Sequence, residues 1–567
     1  MVDSLITAIL RTLPVFAATW FVWCFLRRLF VKHPLADIVG PPSDSWAAGS
    51  LLSIIGPDAW SYHDKLIKKF GKTFRFTGMM QEQALYTFDP KAMHHIFVKD
   101  QHLFPETDEF IRGMYQLLGP AMTAVGAADH SRHRRLLTPV FSVAHLREIV
   151  PVFFGLQSAL AQKVSRGENE VDLAEWMTRT ALELIGQSGF AFSFDSLEFD
   201  GPQHPYGPTI KQLLASINDS LILSFRILVV PWVENIGTPA FQRKVINALP
   251  WPMLHAIRDM VDMMWDTSKG IIEEMERALQ SGDDLSNRIA GGKDIMSILV
   301  RDNMSAPEKD RLSRDEIIAQ VSFLTFAATD TTSKEKWSPI QIKQNGLQTS
   351  NALSRIFHLL SENLEVQEKV RDEIAAAFVQ NSGDLGYDAL MGLPFLDAVC
   401  KETLRLHAPI PFVMRQAAED TMLSLSEPVK CFKGEKKQEI MVPKGTRIFI
   451  SILNSNRDPN VWGPDAAEWK PERWMNPLPD TVLNAKVPGV YSHMMTFIGG
   501  GRSCIGFKFS QLEMKVILSL MLQTFKIEPS GKKIEWQFNA VAHPTTEDAP
   551  VAAAGKKVQL PMKLTLL

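Results

Sequence analysis

The chain has 567 residues, 46% of them hydrophobic, enough to bury a large core, and its 60 basic and 63 acidic residues leave it near neutrality. That balance argues against nucleic acid as a partner. Four cysteines (Cys24, Cys400, Cys431 and Cys504) are too few and too scattered for a disulfide framework, and no CxxC pair suggests structural zinc. A reducing compartment fits, and the lack of linkers, repeats and low-complexity tracts points to one large domain.

Residues 5–26 are apolar apart from Arg11 and small hydroxyl residues, with Trp20 and Trp23 near one end; this is roughly one bilayer crossing. Arg27, Arg28 and Lys32 follow, and by the positive-inside tendency they stay cytosolic and leave the N-terminus lumenal. A cleaved signal peptide would carry its basic residues before the apolar run, the reverse of this order. Residues 1–33 are therefore expected to form one N-terminal transmembrane helix and its basic flank. Arg11 leaves a tilted or interfacial helix as the alternative. Gly40-Pro41-Pro42 then makes a stiff joint to the body, residues 34–567.

Within the body, alternating runs at 73–77, 84–88 and 447–453 predict strands, while 3.6-residue apolar patterns predict helices over most of the rest. The expected fold class is mainly α with a small β-sheet region. A basic helix places His130 and Arg134 four residues apart. Further on, Ser313-Arg314-Asp315-Glu316 has the spacing of a capping box. It opens a helix that runs through Ile317, Val321, Phe323, Leu324 and Phe326 into Ala327-Ala328-Thr329-Asp330-Thr331-Thr332. Glu402 and Arg405 lie three apart on one helical face, where they can pair.

The most informative stretch is Phe497-Ile498-Gly499-Gly500-Gly501-Arg502-Ser503-Cys504-Ile505-Gly506, one cysteine between a glycine-rich turn and an amphipathic helix. Glycines let backbone amides approach the sulfur and the helix N-terminus adds partial positive charge, so both are expected to lower the thiol pKa. A lone cysteine is also commonly just a small buried apolar residue.

Phe497, Gly500, Arg502, Cys504 and Gly506 resemble, position for position, the haem-binding loop of the cytochrome P450 family. The resemblance extends from about residue 40 to the C-terminus, and residues 351–374 look like fungal members. It implies haem b with the Cys504 thiolate on its iron, Phe497 near the sulfur, Gly506 in the same cradle and Arg502 paired with a haem propionate. His130 and Arg134 match the family's propionate-binding pair, and Arg415 and His493 are cations of the same kind. Otherwise these cations would form a solvated face for an acidic redox partner.

Pro471-Glu472-Arg473-Trp474 resembles the family's Pro-Glu-Arg-Phe motif with Trp in the last place, which implies a structural lock made of Glu402, Arg405 and Arg473. Residues 327–332 resemble the oxygen-activation groove, with Ala328 where Gly is usual. Thr331 and Asp330 are then the groups that deliver protons during oxygen activation; without the resemblance they would read as a capping or turn cluster. Phe323, Ala327, Pro411, Phe412 and Val413 are expected to line an apolar substrate pocket. Selectivity is expected to lie in loops such as 104–125 and 539–550.

One segment departs from the family. Residues 334–350 are polar, contain Pro339 and Gly346, and cannot extend a helix through the core, whereas Asn351-Ala352-Leu353-Ser354-Arg355-Ile356 would continue the preceding helix well. The clean join restored by their removal suggests translated intron sequence or a gene-model error, a hypothesis that a mature transcript retaining these codons would sink. The resemblance implies a monooxygenase of the endoplasmic reticulum membrane, single-pass with a cytosolic catalytic domain, acting on a lipophilic small molecule in fungal secondary metabolism (a terpenoid, sterol-like or aromatic substrate) or in xenobiotic oxidation. Its electrons would come from NADPH through a separate flavoprotein reductase, since no NADPH or flavin motif occurs in the chain. The alternatives are haem-thiolate isomerase or dehydratase chemistry, against which Asp330 and Thr331 argue, and a haem-binding protein without turnover because the insertion disrupts the oxygen-activation helix.

Overall fold

The computed structural model describes Thr19 and residues 33–46, 48–56, 59–149, 160–162, 164–195, 197, 204–217, 222, 225, 229–233, 236–281, 294–328, 349–383, 385–538, 541–552 and 555–567. The expected membrane helix lies outside the described residues apart from Thr19 and His33. Among the described residues no helix is long and apolar enough to cross a membrane.

The alternating runs form one four-stranded sheet from β1 (Thr73–Thr77), β2 (Gln83–Thr87), β3 (Phe412–Gln416) and β4 (Arg447–Ser451), in the order β1-β2-β4-β3. β1 and β2 are antiparallel with Phe74 opposite Tyr86, their rings stacked at 4.5 Å. β2 runs parallel to β4, and β3 pairs antiparallel to β4 with Arg415 opposite Ile448. The 447–453 run stops as a strand at Ser451, whose Oγ accepts from the Asn454 amide at 3.3 Å and caps a short helix, Ile452–Asn456.

Helices make up most of the rest: α1 (Asp108–Leu118), α2 (Ala127–Leu137), α3 (Leu173–Phe190), α4 (Pro252–Ser281), α5 (Arg314–Ala328), α6 (Thr349–Glu362), α7 (Pro394–Leu406) and α8 (Phe507–Thr524). The capping box forms as read: the Ser313 amide donates to Glu316 Oε2 at 2.7 Å, and the Glu316 amide donates to Ser313 Oγ at 3.3 Å. α5 and α6 both pack on α3, whose side chains are buried along almost its whole length. α8 is buried from Phe509 to Leu522. A continuous core links these helices, while two smaller clusters flank the sheet. A second sheet places the C-terminal strand Pro561–Leu566 between Glu170–Asp172 and Phe525–Pro529.

Candidate active site

The cysteine loop is built by close backbone approach. A Cβ on Gly500 would sit 1.6 Å from the Phe97 carbonyl oxygen and one on Gly499 1.8 Å from that of Pro488; Gly500 also has φ +70°. No L side chain fits either place without moving the backbone. The Gly501 amide donates to Gln101 Oε1 at 2.9 Å, and the Cys504 amide donates to the Phe497 carbonyl at 3.1 Å, which folds the loop back on itself. Phe497 is buried edge-on to Tyr491, with ring centres 5.5 Å apart.

This loop forms one wall of a cavity of about 340 Å³. Much of the lining is apolar: Phe323, Leu324, Phe326 and Ala327 of α5, Phe412 and Val413 of β3, and Phe110, Met114 and Met122 from the segment around α1. His130 and Arg134, one turn apart on α2, also face the cavity, as do Arg415 of β3 and Arg502, Cys504 and Gly506 of the loop. Arg134 donates to the carbonyl of Ser503 and, at 3.0 Å, to its Oγ, so the residue before the cysteine is clamped to α2. Arg502 donates to the Val125 carbonyl at 3.1 Å.

Electrostatics overturn one expectation. Burial pushes the Cys504 thiol up to about 11, although the Gly506 amide and the Arg134 guanidinium pull it down. Removing the sulfur from water costs the charged form more than a backbone amide and a distant cation return. Coordination to iron would displace the proton outright. His130 moves the opposite way, held down to about 3 by burial and by the positive charge of Arg502 and Arg134, so it is a neutral hydrogen-bonding group at physiological pH.

Behind the cavity lies the predicted acid–base cluster. Glu402 and Arg405 are both fully buried and paired twice, Arg405 Nη2 to Glu402 Oε1 at 2.8 Å and Nε to Oε2 at 2.9 Å. Arg405 also donates to the carbonyls of Ala466 at 2.7 Å and Asn456 at 3.0 Å. Glu402 accepts further from Trp474 Nε1 at 2.9 Å, the Lys470 amide at 3.1 Å and Arg473 Nε at 3.3 Å. Trp474 therefore uses its indole N–H in the cluster, a bond that the usual Phe could not make.

A cytochrome P450 family model matches residues 39–335 and 348–548. This chain belongs to the cytochrome P450 family. It is 41% identical to cytochrome P450 monooxygenase 91 of Postia placenta over 98% of both chains. It is 39% identical to cytochrome P450 monooxygenase 212 of the same fungus over 97% of both, and 39% identical to a ganoderic acid synthetase of Ganoderma lucidum over 94% of both. The chain is thus a P450 monooxygenase, of a family that uses haem-thiolate iron and electrons from a redox partner. These matches lend nothing to the reading of a haem binder without turnover.

The P450 site departs from the sequence reading at two places, and a third part of that reading lies outside the described residues. His493 does not line the cavity: the Met494 amide donates to the Tyr491 carbonyl at 3.0 Å, and the tight turn leaves His493 at its tip with φ +57°. Pro411 is also absent from the lining, its place taken by Ile410. Thr331, Asp330 and the segment 334–348 lie outside the described residues; α5 ends at Ala328, α6 begins at Thr349, and the family match skips 336–347. Of the two selectivity loops, 104–125 supplies Glu106, Phe110, Met114, Met122 and Thr123 to the cavity, whereas none of residues 541–550 lines it. Two carboxylic acids in the lining, half-buried Glu106 and buried Glu513, carry no sequence signal of their own, being single acids without motif or periodic partner.

Proposed function

We propose that this P450 holds haem b through the Cys504 thiolate and inserts one oxygen atom from O2 into a lipophilic small molecule of fungal secondary metabolism, terpenoid, sterol-like or aromatic. Its electrons come from NADPH through a membrane-bound flavoprotein reductase, and residues 1–33 anchor it in the endoplasmic reticulum membrane with the catalytic body cytosolic. One observation carries the reading: Cys504 lines a largely apolar cavity that Arg134, Arg415, Arg502 and neutral His130 also line.

The residues fit the group. Cys504 lines the cavity from a loop that Gly499 and Gly500 let pack directly on the Pro488 and Phe97 carbonyls, and Arg134, Arg415 and Arg502, cations that match haem's acidic side chains, line the same cavity. When bound, the haem supplies dioxygen activation driven by electron donation from the thiolate. Arg502, Arg415, Arg134 and His130 would hold the acidic side chains and Phe497 would pack beside the sulfur, while Glu402, Arg405 and Arg473 tie the supporting core together. Thr331 and Asp330, which lie outside the described residues, are the groups that would deliver protons during oxygen activation. Phe323, Ala327, Phe412 and Val413 exclude water and orient an apolar substrate. The likeness to a ganoderic acid synthetase supports small-molecule biosynthesis.

The first test is the absorption spectrum of the reduced, carbon monoxide-bound protein, in which thiolate ligation gives a Soret band far to the red of histidine ligation. A histidine-like band, or no haem, overturns the reading. Turnover with isotopically labelled dioxygen, NADPH and a fungal reductase then has to place one labelled atom in a lipophilic product. Residues 334–350 are treated as sequence absent from the mature enzyme: their deletion is expected to keep the red-shifted band and raise product formed per NADPH consumed. The same gain from the full-length chain, or a transcript retaining the codons, removes that part of the proposal.

A further inference from the structure

Glu106 stands between the two cations that β3 and the cysteine loop bring to the cavity wall. Its place is set by the backbone. The Gln416 amide donates to the Pro105 carbonyl at 3.0 Å and the Ala418 amide to the Leu103 carbonyl at 2.9 Å, so residues 103–105 lie alongside the end of β3 that carries Arg415. Thr107 caps α1, its Oγ1 accepting from the Phe110 amide at 3.4 Å, and Glu106, the residue before that cap, lines the cavity. Glu106 Oε1 lies 3.4 Å from Arg415 Nη2, and its Oε2 lies 3.3 Å from Arg502 Nε. The carboxylate is 9% exposed and the two guanidinium side chains 7% and 19%, so water screens the trio poorly.

Two guanidinium groups this close repel each other, and the positive charge of Arg415 weighs against that of Arg502. Each has five N–H donors. Arg415 directs one to the Met414 carbonyl at 2.8 Å and Arg502 one to the Val125 carbonyl at 3.1 Å, which leaves donors over for a further anion. Both contacts to Glu106 are longer than the 2.7–2.9 Å of a tight charge-assisted bond. A fully committed pair would leave little for a ligand; this bridge restrains the arginines without saturating them.

We infer that Glu106 is a positioning residue for haem: it bridges Arg415 and Arg502, holds them together against their repulsion, and aims the pair at one acidic side chain of the porphyrin. It also sets the charge. Three guanidinium groups and one carboxylate leave two positive charges on this wall, the number of acidic groups on haem b, with His130 neutral. This inference rests on the reading of Arg415 and Arg502 as the haem's cations.

The test uses the haem-loaded full chain and two readouts other than turnover: the rate of haem transfer to excess apomyoglobin, and the reduction potential. Glu106→Gln keeps the shape and removes the charge. It is expected to release haem about tenfold faster and to shift the potential positive, because a nearby negative charge no longer stabilises the more positive ferric state. Glu106→Asp, which keeps the charge and shortens the reach, is expected to recover the potential and part of the retention; should Glu106→Gln fail to fold, a Glu106→Asp protein with unaltered haem release overturns the inference. In an Arg415→Met/Arg502→Met background the Glu106→Gln effect on release is expected to vanish, since its route runs through those arginines. Wild-type release and potential in Glu106→Gln, with fast release in Arg502→Met, overturn the inference and leave the cation reading standing. Wild-type release in both Arg415→Met and Arg502→Met overturns the cation reading itself, and the inference falls with it.

Discussion

Two carboxylates in this P450, one fully buried and one partly so, each meet two arginines, and they do so differently. Glu402 takes two bonds of 2.8–2.9 Å from Arg405 and one each from Arg473, Trp474 and the Lys470 amide, behind the cavity and away from water. Glu106 takes one contact from each of Arg415 and Arg502, at 3.4 and 3.3 Å, on the cavity wall. The first cluster is a lock, because all five N–H groups of Arg405 have acceptors and Glu402 accepts five bonds, leaving little for a ligand. The unsaturated cluster is a receptor, held in place but still able to bond. Glu513 of α8 completes the series. It is a buried carboxyl in the cavity lining with no cation, one oxygen lacking a hydrogen-bond partner, and burial pushes it up to about 8.

The largest effect is expected in the lock. Arg405→Leu strands a fully buried carboxylate and should cost roughly 3–5 kcal/mol, read as loss of the folded protein or a large drop in denaturant midpoint. A loss under about 1 kcal/mol would mean that the lock is redundant. Glu513→Gln tests the carboxyl without a cation. Its folded pKa lies above the unfolded value of 4.5, so the folded state binds more protons between pH 4.5 and about 8, and wild-type stability falls as pH rises through that window. The variant should therefore gain on the wild type by at most about 1.4 kcal/mol per pH unit, read as a melting-temperature difference that widens from pH 5 to 8. A constant difference would refute it.

In the receptor, Arg415→Met leaves Glu106 with only Arg502 and should cost about 1–3 kcal/mol, less than Arg405→Leu, while speeding haem transfer. A stability loss equal to that of Arg405→Leu would erase the distinction between the two clusters. The smallest change, Trp474→Phe, removes one donor of five from Glu402 and should cost about 1 kcal/mol in chemical unfolding with haem retention unchanged.

Local spacing made much of this legible. The capping box at Ser313 and Glu316, the pairing of Glu402 with Arg405, the strands at 73–77 and 84–87 and the glycine turn before Cys504 each depend on residues a few positions apart, so their geometry follows from the period of a helix, a strand or a turn. His493 was misread for the complementary reason: nearness in sequence to the cysteine loop says nothing of where a tight turn points a side chain. The sign of the shift on Cys504 was misread because glycines and a helix start are local, whereas burial is the sum of everything packed around them.

By itself the sequence determined a mainly helical fold with a small sheet, a cysteine presented between a glycine turn and a helix, and the P450 family. These are properties of short-range backbone chemistry and of a motif within ten residues. Only the tertiary structure decided what Cys504 and the arginines face. Glu106 meets Arg415 and Arg502, Gly500 presses on Phe97 and Gly501 bonds Gln101 across hundreds of residues of chain. Such contacts have no periodic signature, because they are set by how whole helices and strands pack, and it is that packing that brings the cations and the apolar side chains to one cavity.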